Sequence, residues 1–271
     1  MSGPGRRPTV RSVAMPAEHG GWGLTIEPGL LGVLLAPSLA AVVLGVAALL
    51  VFLVRTPSRL VLVGRRHAAD RPTTASGVER SRLAARVATV ELAAMVLAVV
   101  LTVLLAADPW WWLPMVVAAP LFVLALWFDM RSLSRHLVPE IVGSVAVASV
   151  AAMGARAGGA PWPLAVSAWI ILIARIASSI PHVRAQVQRI HGRRAPVSPT
   201  IVGDVAALAA ALIAVVVEPN VVLGAAAIVG LIVVQRITLA RPPRPAKVLG
   251  LRQMVLGFGV VGATATSAWL L

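Results

Sequence analysis

Residues 199–239, PTIVGDVAALAAALIAVVVEPNVVLGAAAIVGLIVVQRITL, decide the fold class. Two apolar runs, Pro199–Val217 and Val221–Leu239, flank a short turn formed by Glu218-Pro219-Asn220. Each run has about 20 residues, the length that an α-helix needs to cross a hydrocarbon core of roughly 30 Å. The segment therefore predicts a transmembrane helical hairpin.

The composition of the chain extends this prediction to an all-α, polytopic transmembrane helical bundle. Of the 271 residues, 59% are hydrophobic and 13% are charged, and a soluble domain of this length cannot bury so much apolar surface. The chain has no Cys, which excludes disulfides and thiolate chemistry. Five further spans are predicted at Leu83–Ala107, Trp110–Phe128, Leu137–Met153, Trp162–Ile180 and Val248–Leu271.

The stretch Trp22–Val54 can form one overlong helix or two helices joined by a tight hairpin at Ala36-Pro37-Ser38. The distribution of charge favours two helices. With about nine spans and the N-terminus inside, 23 of the 24 Lys and Arg residues lie on the cytoplasmic side, and Arg156 alone lies outside. With eight spans, three N-terminal arginines would move outside. We therefore predict about nine spans, with the N-terminus inside and the C-terminus outside.

This topology also explains the net charge of +14 without nucleic acid as a partner. The expected partners are the lipid bilayer and anionic lipid headgroups at the cytoplasmic face, and the expected location is the bacterial inner membrane. Residues 1–15 are predicted to form a basic cytoplasmic tail and residues 16–271 a single transmembrane domain. Its longest cytoplasmic loop, residues 55–82, is either a solvated connection or an amphipathic surface element.

Ionisable residues are predicted to collect near the cytoplasmic helix ends, which indicates a polar cavity open to the cytoplasm. Carboxylate and imidazole groups suit acid–base catalysis or metal binding, and guanidinium groups suit anionic ligands. The candidate catalytic residues are Glu18, His19, Glu27 and Glu91. The candidate ligand-binding residues are Arg55, Arg131, Arg175, Ser178, Arg184, Asp204 and Lys247. The alternative is that these charges only pair with one another and hold helix ends together.

The segment PAEHGGWG, residues 16–23, is the most distinctive local motif. Three glycines interrupt a helix start, so irregular backbone is expected at the membrane edge. Glu18 and His19 are candidate metal ligands or acid–base groups, although the segment can equally be an interfacial cap anchored by Trp22. Pairs of small residues elsewhere, Gly224 with Gly230 and Gly257 with Gly259, indicate close helix packing.

This motif resembles that of the YwiC-like family of bacterial integral membrane proteins. The similarity continues along most of the chain, and the matching residues are Pro16, Glu18-His19-Gly20, Trp22, Pro28, Gly32, Phe52-Leu53, Arg55, Pro57, Arg175–Arg184, Lys247–Gly250 and Gln253. The resemblance implies an integral membrane protein. It implies no particular reaction.

The predicted span number and cytoplasm-facing polar residues also resemble the UbiA-type intramembrane prenyltransferases. Those enzymes carry two Asp-rich motifs that hold Mg²⁺ on a diphosphate. Here Asp70, Asp129 and Asp204 stand alone, so the similarity covers architecture and not that metal mechanism. Three hypotheses follow: a transferase acting on a lipid or prenyl-type substrate, a binder or transporter of a small anionic or amphipathic ligand, and a non-catalytic membrane assembly factor.

Overall fold

The computed structural model describes residues 9–15, 21–70, 75–131 and 136–271. These residues form ten α-helices and one 3₁₀ turn at Pro219–Val221. The helices are α1 Val10–Ala14, α2 Gly21–Leu35, α3 Leu39–Asp70, α4 Ala75–Leu105, α5 Leu113–Met130, α6 Leu137–Ala157, α7 Trp162–Ile190, α8 Ser198–Val217, α9 Val222–Leu239 and α10 Ala246–Leu270.

The prediction of a polytopic helical membrane protein is confirmed. Among the described residues, seven helices are long and apolar enough to cross a membrane, namely α3, α4 and α6 to α10. Two shorter apolar helices, Trp22–Leu35 and Leu113–Phe128, accompany them. The count of nine spans and their orientation stay predictions.

The break between α2 and α3 lies where the sequence predicted it. Pro37 cannot donate a backbone hydrogen bond, and the Ser38 hydroxyl accepts one from the N–H of Ala41 at 3.1 Å, so Ser38 caps α3. Gly29 and Gly45, on either side of the turn, bring the two helix backbones into contact. The segment is therefore an antiparallel hairpin and not one overlong helix.

Several helices extend beyond the predicted apolar runs. Helix α3 continues to Asp70 and α4 begins at Ala75, so most of the connection 55–82 is helical. Arg is the most frequent residue in this connection, and its helix propensity is high enough to continue a helix outside an apolar environment. Helix α7 likewise continues to Ile190, ten residues past the predicted end at Ile180.

The helix connections lie at two ends of the bundle. At one end, the N–H of Ala107 donates to the carbonyl of Ala157 at 2.9 Å, and Gly158 packs directly on Ala36. The connections after α2, α4 and α6 therefore meet there, and we call this the short-turn end. The opposite end holds the C-termini of α7 and α9 and the start of α10, and we call it the basic end.

Two of the charges predicted to lie outside the cytoplasm meet at the short-turn end. Asp108 and Arg156 form an ion pair there, and the Arg156 guanidinium stacks over Trp162. The Trp269 indole near the end of α10 donates to the carbonyl of Leu34 near the end of α2 at 2.8 Å. The C-terminal end of α10 is thus at the same end of the bundle as Asp108 and Arg156.

Helix α7 is the centre of the bundle. In its most apolar stretch 61% of residues are buried, against 11% for α4. One core cluster joins α7 to α2, α6 and α10, and another joins it to α8, α9 and α10. Alanines such as Ala148, Ala168, Ala174 and Ala207 line these contacts, and their small side chains let the backbones approach closely. Helix α7 therefore packs against α2, α6, α8, α9 and α10, and its buried polar side chains face other helices.

Candidate functional site

A fully buried ion pair joins α2 to α7. Arg175 Nε lies 2.7 Å from Glu27 Oε2, and its Nη2 donates to Glu27 Oε1 at 2.8 Å. The same Nη2 also donates to the backbone carbonyl of Gln253 on α10, at 3.1 Å. Glu27 is 1% exposed and Arg175 is 4% exposed. One hydrogen bond and a second close contact between the charged groups let each charge compensate the other where water cannot.

Two glycines make room for this pair. A Cβ atom on Gly257 of α10 would overlap the Glu27 carboxylate and lie 2.7 Å from Nη2 of Arg175. A Cβ on Gly23 would lie 3.1 Å from Glu27 Oε1. The absence of a side chain at Gly257 is therefore a condition for the ion pair to form.

A second polar cluster joins α7 to α8 and α9. The Ser178 hydroxyl lies 2.6 Å from Asp204 Oδ1 and 2.9 Å from Gln235 Oε1. Arg236 binds the other carboxylate oxygen of Asp204, with both Nε and Nη2 at 2.6 Å from Oδ2. Gln235 also donates to the Ser179 hydroxyl at 3.0 Å. Asp204 is thus neutralised by Arg236, and by none of the candidate arginines.

Gln253 connects the two clusters. Its side-chain Oε1 accepts from Gln235 Nε2 at 3.4 Å, while its backbone carbonyl accepts from Arg175. The resulting hydrogen-bonded network runs through α2, α7, α8, α9 and α10. Each of its buried charges has a partner of opposite sign, which is the arrangement that a low-dielectric interior requires.

At the basic end, three arginines line a cavity of about 200 Å³ between α7, α9 and α10, which we call the basic-end cavity. Its lining residues are Gln186, Thr238, Arg241, Pro242, Arg244, Val248, Leu249 and Arg252. None of these lining residues is acidic. Guanidinium groups that cluster in a cavity without a carboxylate favour the binding of an anion. The cavity therefore has the charge and the donors to bind a phosphate or a carboxylate.

Side chains of α7 hold the loop that forms this cavity. The last carbonyl groups of α9 have no intrahelical partner. Gln186 Nε2 donates to the carbonyl of Thr238 at 3.0 Å, and Arg189 Nη1 donates to that of Leu239 at 2.5 Å. Arg189 Nη2 also donates to the carbonyl of Arg241 at 3.0 Å. These bonds fix the connection between α9 and α10, and with it the backbone of Arg241.

Several polar atoms near the cavity have no hydrogen-bond partner among the described residues. They include Gln186 Oε1, Arg252 Nε, Gln253 Nε2 and His182 Nε2. Gln186 and His182 are 3% and 2% exposed and lie one helical turn apart on α7. Buried polar groups are normally paired, so unpaired ones beside a cavity indicate a site that accepts a ligand or water.

A second, wider cavity of about 470 Å³ lies next to the first, where α7 ends and α8 begins. Its basic residues are Arg189, Arg193 and Arg194, and the last two are exposed. Arg189 is already bound to the carbonyls of Leu239 and Arg241. This cavity is therefore a wider and more open basic depression than the basic-end cavity.

The structure brings four of the sequence-predicted site residues together in the network. Glu27 contacts Arg175, and Ser178 contacts Asp204. The sequence had offered Glu27 and Asp204 as possible partners of the arginines, and both are partners of an arginine. Their roles in catalysis or ligand binding stay predictions.

The other described candidates lie apart from that network. Glu91 lies on α4, which packs mainly along α3, and its Oε2 has no partner among the described residues. Arg184 pairs with Glu140 at 2.9 Å near the surface, and Arg131 stacks over Trp127 at 4.1 Å.

Two further candidate cations, Arg55 on α3 and Lys247 at the start of α10, are exposed. Glu18 and His19 lie outside the described residues, so the structure does not test whether they join Glu27. Within the described residues, no three His, Asp or Glu side chains are close enough to hold a metal ion together.

Sequence analysis missed the residues that form the cavity, above all Gln186, Arg241, Arg244 and Arg252. One available signal was glutamine within apolar helices, because an amide in a membrane span needs a partner. Gln235 and Gln253 lie within predicted spans, whereas Gln186 follows the predicted end of its span at Ile180. The other signal was the segment RPPRP at residues 241–245, which gives a stiff, basic connection between two spans.

Comparison with known proteins identifies a family and nothing more specific. The model of the YwiC-like protein family matches residues 15–155. This range includes α2, with Glu27, and most of α6, and it ends before the residues that line the basic-end cavity. No curated protein and no solved structure matches the chain.

Proposed function

The chain belongs to the YwiC-like protein family, and we propose that this family member binds an anionic, amphipathic ligand in its basic-end cavity. The family match gives no ligand, so the proposal rests on the cavity itself. The observation that carries it is a partly open cavity of about 200 Å³ lined by three arginines and by no acidic residue among those described. The carboxylates of the network are bound to Arg175 and Arg236, which do not line it.

The position of the cavity along the membrane normal supports the binding of an amphipathic ligand. Thr238 is one residue from the end of α9, and Val248 lies in the first turn of α10. Since both helices are apolar enough to cross a membrane, their ends lie near the lipid headgroups. A phosphate at this level can bind the arginines while an attached chain stays in the bilayer beside Val248.

The size of the cavity supports a ligand that enters only in part. Sites for whole drug-sized molecules usually measure about 300–1,000 Å³, and this one measures about 200 Å³. A phosphate with a small headgroup fits that volume, whereas a lipid with its chains does not. We further propose that the cavity faces the cytoplasm in the bacterial inner membrane, because the positive-inside rule assigns its arginines to that side.

Native mass spectrometry of protein purified in nanodiscs tests this proposal. We expect the wild type to retain an anionic adduct that the variant Arg244→Gln/Arg252→Gln loses. The control Arg80→Gln/Arg82→Gln removes the same charge from exposed positions on α4 and should keep the adduct. Equal retention by all three proteins would show that the ligand does not bind in the cavity.

The transferase hypothesis is a second proposal, and one observation supports it. Glu91 lies within a predicted span, is partly buried, and has an oxygen without a partner among the described residues. Intramembrane carboxylates without a structural partner are functional candidates. Prenyl transfer would form a bond between the prenyl carbon and the oxygen of a hydroxyl acceptor, pass the hydroxyl proton to the Glu91 carboxylate, and break the bond between that carbon and the phosphate oxygen to release diphosphate. Diphosphate release from an isoprenoid diphosphate supplied together with a hydroxyl acceptor by the wild type, abolished in Glu91→Gln, would support it. No release by the wild type would contradict it.

The assembly-factor hypothesis is supported by the two ion pairs of the network, of which the first is buried and the second half-buried. Glu27 is bound to Arg175, and Asp204 is bound to Arg236. For these four residues a structural role accounts for the contacts without a ligand. We therefore propose that the basic-end cavity binds the ligand and that the network stabilises the bundle.

A further inference from the structure

One residue that lines the basic-end cavity has a buried hydrogen-bond acceptor without a partner among the described residues. Gln186 lines the cavity and is 3% exposed. Its Nε2 donates to the carbonyl of Thr238, and a carbonyl can only accept. The orientation of the amide is thereby fixed, since the reversed amide would bring two oxygens together. The oxygen Oε1 is left buried without a partner among the described residues.

An unpaired amide oxygen at this position needs a hydrogen-bond donor. Leaving a buried acceptor unpaired is unfavourable, and a donor supplied by a ligand would remove that cost. Arg241, Arg244 and Arg252 supply donors for an anion, but the acceptor Oε1 requires an N–H or O–H on the ligand itself. The site therefore matches a ligand that combines an anionic group with a donor.

The surrounding charge decides which kind of donor fits. An ammonium group would lie among the guanidinium groups of Arg241, Arg244 and Arg252 and would be repelled by them. A hydroxyl group is neutral and suffers no such repulsion. A phosphate also presents more acceptor oxygens to several arginines than a carboxylate does.

We propose that Gln186 selects a hydroxyl-bearing phosphate ester, with the phosphate on the arginines and a hydroxyl donating to Oε1. This inference rests on the proposed function and names the ligand class of the same site. The ligand can be a lipid headgroup or a free phosphate ester, because both present the same chemistry to the cavity. In either form, loss of the hydroxyl should weaken binding about tenfold, the factor expected for one buried hydrogen bond.

Two matched pairs of probes test the proposal on the full chain in nanodiscs. The lipid pair is phosphatidylglycerol and phosphatidylmethanol, which carry equal charge and differ in the headgroup hydroxyls. The soluble pair is glycerol 3-phosphate and methyl phosphate. We expect the hydroxyl-bearing member of one pair to bind about tenfold more tightly, and the pair that shows this preference identifies the source of the ligand.

The variant Gln186→Met provides the control, since it keeps a similar volume and removes the acceptor. It should bind both members of the pair alike. The ratio of the two affinities is the readout, because the variant also loses the Nε2 donor that holds Thr238 and its absolute affinity can fall for that reason. Circular dichroism and size-exclusion chromatography verify that it is folded. If Gln186→Met does not fold, Arg244→Gln should still reduce affinity for both members while keeping their ratio.

The outcomes separate the two proposals. If none of the four probes binds, the proposed function itself is contradicted. If the wild type binds probes with and without hydroxyls equally, the anion site stands and selection by Gln186 is refuted. A preference for hydroxyls that persists in Gln186→Met also refutes the role of this residue.

Discussion

Arg175 binds both carboxylate oxygens of Glu27, at 2.7 Å and 2.8 Å, in the most enclosed part of the bundle. The pair joins α2 to α7, the central helix of the bundle. Such a pair is costly to break, because the remaining charge is left buried without a partner. The contact therefore explains how a chain of nearly uncharged helices can fix one position of α2 against α7.

Replacing either partner alone should destabilise the protein strongly. We expect Glu27→Gln and Arg175→Gln each to lower the free energy of unfolding by about 3–5 kcal/mol, and the double variant to lose much less than the sum. Thermal unfolding in detergent, followed by size-exclusion chromatography, measures all four proteins of the cycle. Additive effects of the two substitutions would mean that the residues do not act as a pair.

The glycine beside the ion pair gives a test that leaves both charges in place. In Gly257→Ala the new methyl group overlaps the Glu27 carboxylate and should lower the melting temperature by several degrees. Gly259 is two residues away on the same helix, and a Cβ there meets nothing within 4 Å. Gly259→Ala should therefore be neutral or slightly stabilising. Equal behaviour of the two variants would contradict the close packing of Gly257 on the pair.

Replacing a buried carboxylate should cost more stability than replacing an exposed one that also pairs with an arginine. Asp204 accepts hydrogen bonds from Ser178 and Arg236 and its side chain is 11% exposed, whereas Glu140 pairs with Arg184 and is 42% exposed. We expect Asp204→Asn to cost about 2 kcal/mol and Glu140→Gln less than about 1 kcal/mol. Chemical denaturation in detergent measures both. A larger loss in Glu140→Gln would show that the network around Asp204 does not stabilise the bundle.

The topology prediction can be tested without the structure. A reporter that is active only in the periplasm should be active when fused after Leu271 and inactive when fused after Arg11. The physical reason is the excess of arginine in alternate connections, which are retained inside. The same reporter inserted after Gly158, at the short-turn end, should also be active. The reverse pattern would assign the basic end to the periplasm.

The sequence was sufficient to predict the helices and the hairpin between neighbouring helices, because both follow from local chemistry. Apolar length indicated the spans, and Pro37 with Ser38 indicated the hairpin between α2 and α3. Pairing of Glu27 and Asp204 with arginines was one of the alternatives that the sequence left open, and the choice of Arg236 for Asp204 depends on how α8 packs against α9.

The cavity could not be predicted, since it is formed where three distant segments meet. Its lining comes from α7, α9 and α10, with Gln186, Thr238 and Arg252 as examples. More than 60 residues of sequence separate Gln186 from Arg252. Similarly, Gly224 and Gly257 contact neighbouring helices as expected, whereas a Cβ on Gly230 or Gly259 meets nothing within 4 Å. A glycine in a membrane helix indicates close packing only when the helix is rotated to present it.

The central claim is that an anionic headgroup binds between α7, α9 and α10. Photocrosslinking in vesicles tests it most directly, with a phosphatidylglycerol analogue whose diazirine lies beside the headgroup and with peptide mapping of the products. We expect crosslinks at residues 238–252 that unlabelled phosphatidylglycerol suppresses and that Arg244→Gln/Arg252→Gln abolishes. Crosslinks confined to the exposed helices α4 and α5, unaffected by that variant, would contradict the account.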